Sequence, residues 1–485
     1  MNHDSFIPKR RISILILSMS CIFFIAACSF QPTLEFPDIV YTSNSAVPTK
    51  VPDQTESASI ATGTIKIAVP VSAECLRYLS LMYIGESSGL FKDIDSFSNG
   101  LTVSLDALEN FDAGLNVVLQ PVPSTGYSQQ EMDILTSSNS LPDILFFNSS
   151  NRLSVYNFRP VIFEESIISD YFSPSIVFPA MIQNGLTSSR IQSLPYYASI
   201  KMLFADADVL VDATKVSLLP DSGPLDYTAI KTIAKKVTKA DAGIYGFMGL
   251  SDLLAFFPMV LGISSNSYMW NGAQFHFESP HFIQGVDEIK SLIAGGSVLD
   301  SLTSSQKKAK YGDSDPRSLD KIGFWVDDSN RLESWKTLGV ENVRRYPFQG
   351  DKKIAVPLSV YSIAVNANAS LLQDAQKLAA YIALDKDALL FRSRYPIANG
   401  FIPPIRDKEV WESLVKPQLQ GNELFSLYDK MDSAKSVTNL EENFIKGIYD
   451  SLYTNYFNDI LYSRKSLATF VEEINTSANQ AILNH

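Results

Sequence analysis

The stretch Leu141–Phe147, with the sequence LPDILFF, indicates the fold class. It begins with Leu, Pro and Asp, and its last four residues are all apolar. Such a run suits a β-strand that is buried on both faces, as the strands of parallel sheets are. The segment Gln129–Leu135, which can form a helix, precedes it. This succession of helix and buried strand predicts an α/β fold.

The rest of the chain continues the same alternation. Two stretches before Leu141–Phe147 place apolar residues at every second position, as strands do: TIKIAVP at 64–70 and GLNVVLQPV at 114–122. The later stretches predict strands or crossing segments at 193–210, 321–328 and 357–366, and helices at 228–239, around 286–293 and at 374–384. Beyond Trp411 the pattern is mostly helical to the end.

Composition limits the class of protein. The chain has 485 residues, of which 46% are hydrophobic and 19% are charged, as in a folded chain of two or three domains. The formal net charge is −12, so the sequence carries no overall basic surface for nucleic acid. We therefore expect no nucleic-acid partner.

Catalytic and metal-binding motifs are missing from the sequence. It contains no GxSxG elbow, no HExxH pair and no phosphate-binding loop. His276 and His281 lie close together, but the pattern offers no third ligand for a metal. These observations predict a protein that is not an enzyme and that uses neither a metal nor a cofactor.

The N-terminus has the pattern of an exported lipoprotein. Residues 1–27 contain a short basic patch followed by the apolar stretch Ile12–Ala27, which is shorter than the roughly 20 residues of a membrane span. The sequence Ile25–Cys28, IAAC, resembles a bacterial lipobox, which implies that Cys28 is lipidated. An ordinary cleaved signal that happens to contain a Cys is the alternative. Residues 28–62, with Pro scattered among Ser and Thr, predict a tether.

Several motifs occur in an order that resembles a known family. Behind the lipobox, LPDILFF is followed by SLPYY at Ser193–Tyr197, by a strand, loop and helix at Val360–Phe391, and by GFIPP at Gly400–Pro404. In this order they resemble the extracytoplasmic solute-binding proteins of ABC importers. The resemblance is to family 1, the carbohydrate-binding group typified by maltose-binding protein. It implies a two-lobed periplasmic-binding-protein-like fold of type II, with a ligand cleft between the lobes and a helical C-terminal extension.

The resemblance also implies lobe boundaries and partners. The first lobe would comprise 63–195 plus 354–402, and the second 196–353 plus 403–485. The chain would be a monomer, anchored by lipidated Cys28 to the outer face of the bacterial cell membrane, and would deliver a sugar or oligosaccharide to ABC permease subunits. A lipid-anchored extracellular enzyme acting on glycans, or a solute sensor subunit, remains an alternative, and the sequence does not identify the solute.

Candidate ligand-binding residues combine what a sugar needs, namely an aromatic face and polar groups for its hydroxyls, with what the resemblance implies: Phe147, Tyr361 and the pair Ser72 and Glu74 match positions at which the family binds its ligand. The candidates are Ser72, Glu74, Phe147, Asn148, Arg152, Asp252, Asp328 and Tyr361. Most of them follow predicted strands, where α/β sheets place their ligand crevice. The alternatives are that Phe147 ends the core of its strand, that Ser72 and Glu74 lie in a solvated loop, and that the two Asp residues are helix N-caps.

Overall fold

The computed structural model describes most of the chain between Gly63 and Leu483. The described residues are 63–69, 79–80, 83, 115–121, 134, 137–138, 140–148, 158–171, 173, 175–187, 190–211, 213–220, 225–256, 269, 274–349, 354–392, 400–417, 421–436, 448–454, 458–462 and 466–483. The predicted signal segment 1–27 and the predicted tether 28–62 lie outside them.

The described elements alternate between strands and helices. The strands are β1 Gly63–Val69, β2 Leu115–Pro121, β3 Ile144–Asn148, β4 Leu186–Thr187, β5 Arg190–Ile191, β6 Leu194–Asp206, β7 Leu225–Asp226, β8 Tyr245–Phe247, β9 Ile322–Asp328, β10 Val343–Tyr346, β11 Phe348–Gln349, β12 Ile354–Ala355, β13 Pro357–Val365 and β14 Lys435–Ser436. The helices are α1 Glu165–Ile168, α2 Pro179–Asn184, α3 Tyr227–Val237, α4 Leu250–Ala255, α5 Pro280–Ala294, α6 Ser304–Tyr311, α7 Leu332–Thr337, α8 Leu372–Leu384, α9 Lys386–Arg392, α10 Lys408–Val415, α11 Gly421–Phe425, α12 Asn458–Leu461 and α13 Leu467–Leu483.

The main sheet joins two groups of parallel strands. Its order is β2-β1-β3-β13-β6-β9-β8, with β10 paired to β6 and β14 paired to β13. Strands β2, β1 and β3 are parallel, as are β9 and β8. Strand β13 runs antiparallel to β3 and β6 and parallel to β14, and β6 runs antiparallel to β9 and β10. The first residues of β6 pair with β13, and its last residues pair with β9 and β10. Strand β6 therefore crosses from one group to the other.

The predicted strand LPDILFF is confirmed as β3, and its Asp side chain explains the short polar start. Asp143 accepts a hydrogen bond at Oδ2 from the backbone N–H of Lys66 at 2.8 Å and donates its own backbone N–H to the Lys66 carbonyl at 2.8 Å. Both contacts attach the start of β3 to β1. Ile144, Leu145 and Phe146 follow and are all buried, as expected for a strand covered on both faces.

Two hydrophobic clusters lie on opposite faces of β6. Met202 and Phe204 belong to the first cluster, while Leu203 and Ala205 belong to the second. Because side chains alternate along a strand, β6 contributes to both cores without interruption. This explains why the stretch is apolar over nearly its whole length.

The C-terminal segment is mostly helical, as predicted. Trp411 of α10 packs edge-on against Phe178 with ring centroids 5.7 Å apart. Farther along, Asn475 and Asn479 of α13 accept hydrogen bonds from the backbone N–H groups of Phe277 and Phe275, each at 2.9 Å. The segment thus contacts elements from both halves of the chain. The lobe boundaries given above stay a prediction.

Candidate functional site

Three chain segments meet where the two strand groups join. Strand β6 pairs with β13 in the register Tyr197 to Tyr361. The third segment reaches β6 at Ile402, which exchanges both backbone hydrogen bonds with Ala198, at 2.8 and 3.0 Å. Connections of this kind are where two lobes can rotate relative to one another.

An aromatic cluster lies at this junction. It consists of Tyr197, Tyr361 and Phe401, one residue from each segment, and is called the hinge aromatic cluster below. The ring centroids of Tyr197 and Phe401 are 4.0 Å apart, those of Tyr197 and Tyr361 5.0 Å, and those of Tyr361 and Phe401 5.3 Å. Tyr197 is buried, whereas the other two rings are half-buried. The partly exposed rings offer an apolar surface of the kind on which a sugar ring stacks.

A buried arginine contacts Tyr197 of the cluster and the neighbouring Tyr196. Arg392, at the end of α9, is 3% exposed, and its guanidinium carbon lies 3.9 Å from the ring centroid of Tyr196 and 5.7 Å from that of Tyr197. Its Nη2 also donates to the Tyr196 carbonyl oxygen at 3.0 Å. A cation over an aromatic face is attractive, so Arg392 fixes the two neighbouring tyrosines in place.

Polar side chains continue the same face of the sheet. Tyr197, Ser199 and Lys201 alternate along β6 and therefore share a face. The register pairs Ser199 with Ser359, and Lys201 with Asp328 at the end of β9. We call this surface the hinge face; its residues are Tyr197, Ser199, Lys201, Asp328, Ser359 and Tyr361.

Asp328 is the centre of the polar part of the hinge face. Its Oδ2 accepts from Lys201 Nζ at 2.7 Å, and its Oδ1 accepts from the hydroxyls of Ser199 at 3.1 Å and Ser359 at 3.3 Å. The side chains of Lys201 and Asp328 are 21% and 24% exposed. Asp328 does precede a short 3₁₀ turn, but its side chain makes no capping hydrogen bond. The helix-cap alternative therefore does not account for Asp328.

The charge on Lys201 is maintained by three carboxylates. Burial alone would lower the pKa of this ammonium, but the charge and hydrogen bond of Asp328, together with the charges of Asp252 and Asp327, raise the pKa above its ordinary value. Asp327 belongs to the other side of β9, where its Oδ2 accepts from Trp335 Nε1 at 2.8 Å. Burial raises the pKa of Asp327, although hydrogen bonds from Asp328 and Trp335 oppose that shift.

Asp252 lies in the first turn of α4 and is exposed. The helix begins after Gly249, whose backbone N–H donates to Asp300 Oδ2 at 2.9 Å. Tyr449 from the C-terminal segment donates its hydroxyl to the Ser251 carbonyl at 3.2 Å. These contacts orient the turn that carries Asp252. Its carboxylate is close enough to Lys201 to act on it electrostatically.

The structure brings some of the predicted residues together. Tyr361 and Asp328 share the hinge face, and the charge of Asp252 acts on the ammonium of Lys201. Asn148 is paired with Tyr361, and Phe147 with Ser362, in the register of β3 with β13. The side chains of Phe147 and Asn148, and the whole of Ser72, Glu74 and Arg152, lie outside what the structure describes, so their roles stay predictions.

Sequence reasoning missed four residues of the hinge face: Tyr197, Ser199, Lys201 and Ser359. Tyr197, Ser199 and Lys201 occupy every second position after Pro195, which places them on one face of a strand. This alternation is the signal in the sequence that could have revealed them. Phe401, also missed, lies within the predicted GFIPP crossing.

The described residues offer no metal centre: among them, no group of three or more His, Cys, Asp or Glu side chains could hold an ion. His276 instead lies with Nδ1 2.9 Å from Glu278 Oε1. Within the same residues, no helix is both long and apolar enough to cross a membrane.

Comparison with solved structures identifies the fold. The chain superposes on a cyclic α-maltosyl-1,6-maltose binding protein from Arthrobacter globiformis with a TM-score of 0.61 and 12% identity, covering 88% of this chain and 100% of the other. An ABC substrate-binding protein from Listeria monocytogenes, in complex with cycloalternan, gives 0.60 at 12% identity, with 87% and 99% covered.

A third structure agrees, an extracellular solute-binding protein of family 1 from Alicyclobacillus acidocaldarius, with a TM-score of 0.56 at 12% identity over 88% and 99% of the two chains. No protein-family model matches the sequence, and no curated protein matches it either. The chain therefore has the two-lobed, type II periplasmic-binding-protein-like fold, which confirms the predicted fold class.

Proposed function

We propose that this chain is an extracytoplasmic solute-binding protein that captures a sugar or oligosaccharide between its lobes and delivers it to an ABC permease. The observation that carries the proposal is the hinge face. On it, half-buried Tyr361 shares a face of β13 with Ser359, whose hydroxyl donates to the Asp328 that pairs with Lys201. The fold is shared with a cyclic α-maltosyl-1,6-maltose binding protein and with an ABC substrate-binding protein in complex with cycloalternan.

The chemistry of the hinge face suits a sugar. A pyranose ring presents apolar C–H groups on one face and hydroxyls around its edge. An aromatic ring can stack on the former, while an ammonium and carboxylates bind the latter. Since these groups lie on β6, on β13 and at the end of β9, where the lobes join, a solute held there would also contact both lobes when they close. Because the solute would then bind the closed state more tightly than the open state, binding would shift the equilibrium towards the closed state.

The remaining predictions belong to the same proposal. We place the lobes at 63–195 plus 354–402 and at 196–353 plus 403–485. The ligand set is Ser72, Glu74, Phe147, Asn148, Arg152, Asp252, Asp328 and Tyr361, extended here by Lys201 and Phe401. Lipidated Cys28 would hold the monomer at the outer face of the bacterial cell membrane. The chain would bind its solute without turning it over.

Calorimetry of the purified full chain against neutral oligosaccharides tests the proposal. The panel contains α- and β-linked di- to hexasaccharides of glucose, galactose, mannose and xylose. We expect saturable binding of at least one of them, and an unchanged sugar after long incubation. Absence of binding across the panel would contradict the carbohydrate assignment, and turnover of a bound glycan would contradict the binding-only role. Genes for permease subunits beside this gene would support import, whereas a histidine kinase gene would support sensing.

A further inference from the structure

The hydrogen-bonding capacity of Asp328 is largely used within the protein. A carboxylate offers roughly four lone-pair positions, and Ser199, Ser359 and Lys201 occupy three of those on Asp328. The donors come from β6 and β13, which pair with each other at the junction of the lobes. Asp328 therefore holds its neighbours in position and keeps about one lone-pair position for a solute.

Lys201 differs from Asp328 in this respect. An ammonium has three N–H donors, and within the described part of the chain only Asp328 accepts from Lys201. The side chain keeps 21% of its surface exposed, although the backbone around it is buried in strand β6. The ion pair to Asp328 fixes the position of Nζ, and the remaining donors are available to an acceptor on a bound solute.

The charges around Lys201 limit the kind of solute that it can bind. Three carboxylates, those of Asp328, Asp252 and Asp327, act on one ammonium. Even without Asp327, which lies on the other side of β9, the carboxylates of Asp328 and Asp252 outweigh the one ammonium, so the group repels an anion brought near it. A hydroxyl oxygen, which is uncharged and accepts a hydrogen bond, fits the ammonium without this repulsion.

We propose that Lys201 is a specificity-determining residue of the solute site: its ammonium donates to a hydroxyl oxygen of an uncharged sugar, and Asp328 is its positioning residue. Asp328 and Asp252 discriminate against acidic sugars, and Asp327 adds to this from the other side of β9. This inference rests on the proposed function, because it assigns a role within the same site.

Four variants of the full chain test it on the tightest-binding neutral oligosaccharide of the panel and on the same oligosaccharide oxidised to its uronate. Lys201→Met removes the charge and the donors, and Lys201→Arg restores both. Asp328→Asn keeps the size of the positioning side chain and removes its charge. Lys308→Met is the matched control, because Lys308 forms an exposed ion pair with Asp313.

We expect Lys201→Met to bind the neutral probe at least tenfold more weakly, and Lys201→Arg to recover part of the loss. Asp328→Asn should give an intermediate loss, and Lys308→Met should match the wild type. The wild type should bind the uronate at least tenfold more weakly than the neutral probe. Melting temperatures of all variants are measured first, so that affinities are compared where every variant is folded.

Two results separate this inference from the proposed function. If the wild type binds a neutral sugar and Lys201→Met binds it equally well, the ion pair is only structural and the inference is wrong, while the proposed function stands. Preference of the wild type for the uronate would also overturn the inference alone. If no sugar binds to the wild type, both are overturned.

Discussion

Arg345 donates a hydrogen bond from Nη1 to the carbonyl oxygen of Ser329 at 2.7 Å, from a side chain that has no exposed surface. The hydroxyl of Ser329 in turn donates to the Gly400 carbonyl and accepts from the backbone N–H of Ile200 at 3.0 Å. This chain of contacts connects β10, the end of β9, β6 and the crossing segment at Gly400. It is a buried polar network at the junction of the lobes.

Replacing Arg345 should destabilise the fold. Arg345→Met leaves the buried Ser329 carbonyl without its charged donor, which costs about 2–3 kcal/mol of the free energy of unfolding. Urea denaturation measures the change. Arg344→Met, at the adjacent half-buried position on β10, is the control and should stay within about 0.5 kcal/mol of the wild type. Equal effects of the two substitutions would mean that the network contributes nothing specific.

A side chain at position 400 should lower the free energy of unfolding. The φ of Gly400 is +80°, and a Cβ there would lie 2.3 Å from the Ser329 carbonyl oxygen and 2.4 Å from Asn330 Cα, both of them backbone atoms. Gly296→Ala is the control, since Gly296 has a φ of +68° and nothing within 4 Å of the added Cβ.

The control should lose about 1–2 kcal/mol of stability from backbone strain alone. Gly400→Ala should lose about 2 kcal/mol more, because backbone atoms must move. Denaturation curves of both variants give the comparison. A loss at Gly400 no larger than that at Gly296 would show that the crossing segment can shift freely.

The strands and helices were predictable because burial makes apolar residues recur at a short, regular spacing along the sequence. In Gly63–Val69, for example, Ile65 and Ile67 are fully buried, and the alternation that reveals them is local. The run Ile144–Phe146 is equally local, and its continuous apolar character reflects cover on both faces. Such patterns need no knowledge of which strand lies beside which.

The site was less predictable because it depends on register between distant segments. Lys201 and Asp328 are separated by 127 positions, and they meet only because β6 pairs antiparallel with β9 in one particular register. The contact of Tyr197 with Phe401 likewise depends on where the third segment crosses β6. A single sequence contains no local trace of either pairing, so Lys201 and Phe401 were missed.

The proposed lipidation of Cys28 predicts in which cell fraction the protein is found. Two or three acyl chains anchor a protein stably, whereas none should leave it soluble. Cys28→Ala should therefore move the protein from the membrane fraction to the soluble fraction or the medium, as measured by immunoblotting. Cys75→Ala, which changes a Cys outside the lipobox, should leave it in the membrane fraction. Retention of Cys28→Ala in the membrane would disprove the anchor.

Tyr361 should contribute to solute binding through its ring. Tyr361→Ala removes a half-buried ring of the hinge aromatic cluster, and we expect roughly ten- to hundredfold weaker binding of the oligosaccharide that binds best. Tyr361→Phe keeps the ring and should retain most of the affinity, as should Tyr171→Ala, which removes a half-buried ring elsewhere. Calorimetry measures all three, together with Phe147→Ala. Unchanged affinity in both Tyr361→Ala and Phe147→Ala would refute the assignment of these rings to the site.

Glu423 should make stability depend on pH. Burial raises the pKa of this carboxyl from 4.5 to about 7, although the charges of Arg345 and Arg344 oppose the shift. The folded chain thus keeps the proton to a higher pH than the unfolded chain does. Raising the pH from 4.5 to about 7 therefore favours unfolding, and stability is lost across that window.

Glu423→Gln keeps the neutral form at every pH and should remove this loss. Its free energy of unfolding should equal that of the wild type below pH 4.5, exceed it by on the order of 1 kcal/mol per pH unit as the pH rises, and keep a constant excess above about pH 7. Urea denaturation between pH 4 and about pH 8 measures the difference. Glu412→Gln, which alters an exposed ion pair between Glu412 of α10 and Lys416 just after the helix, should follow the wild-type profile. Parallel profiles of Glu423→Gln and the wild type would show that the carboxyl titrates at its ordinary pKa in the folded chain.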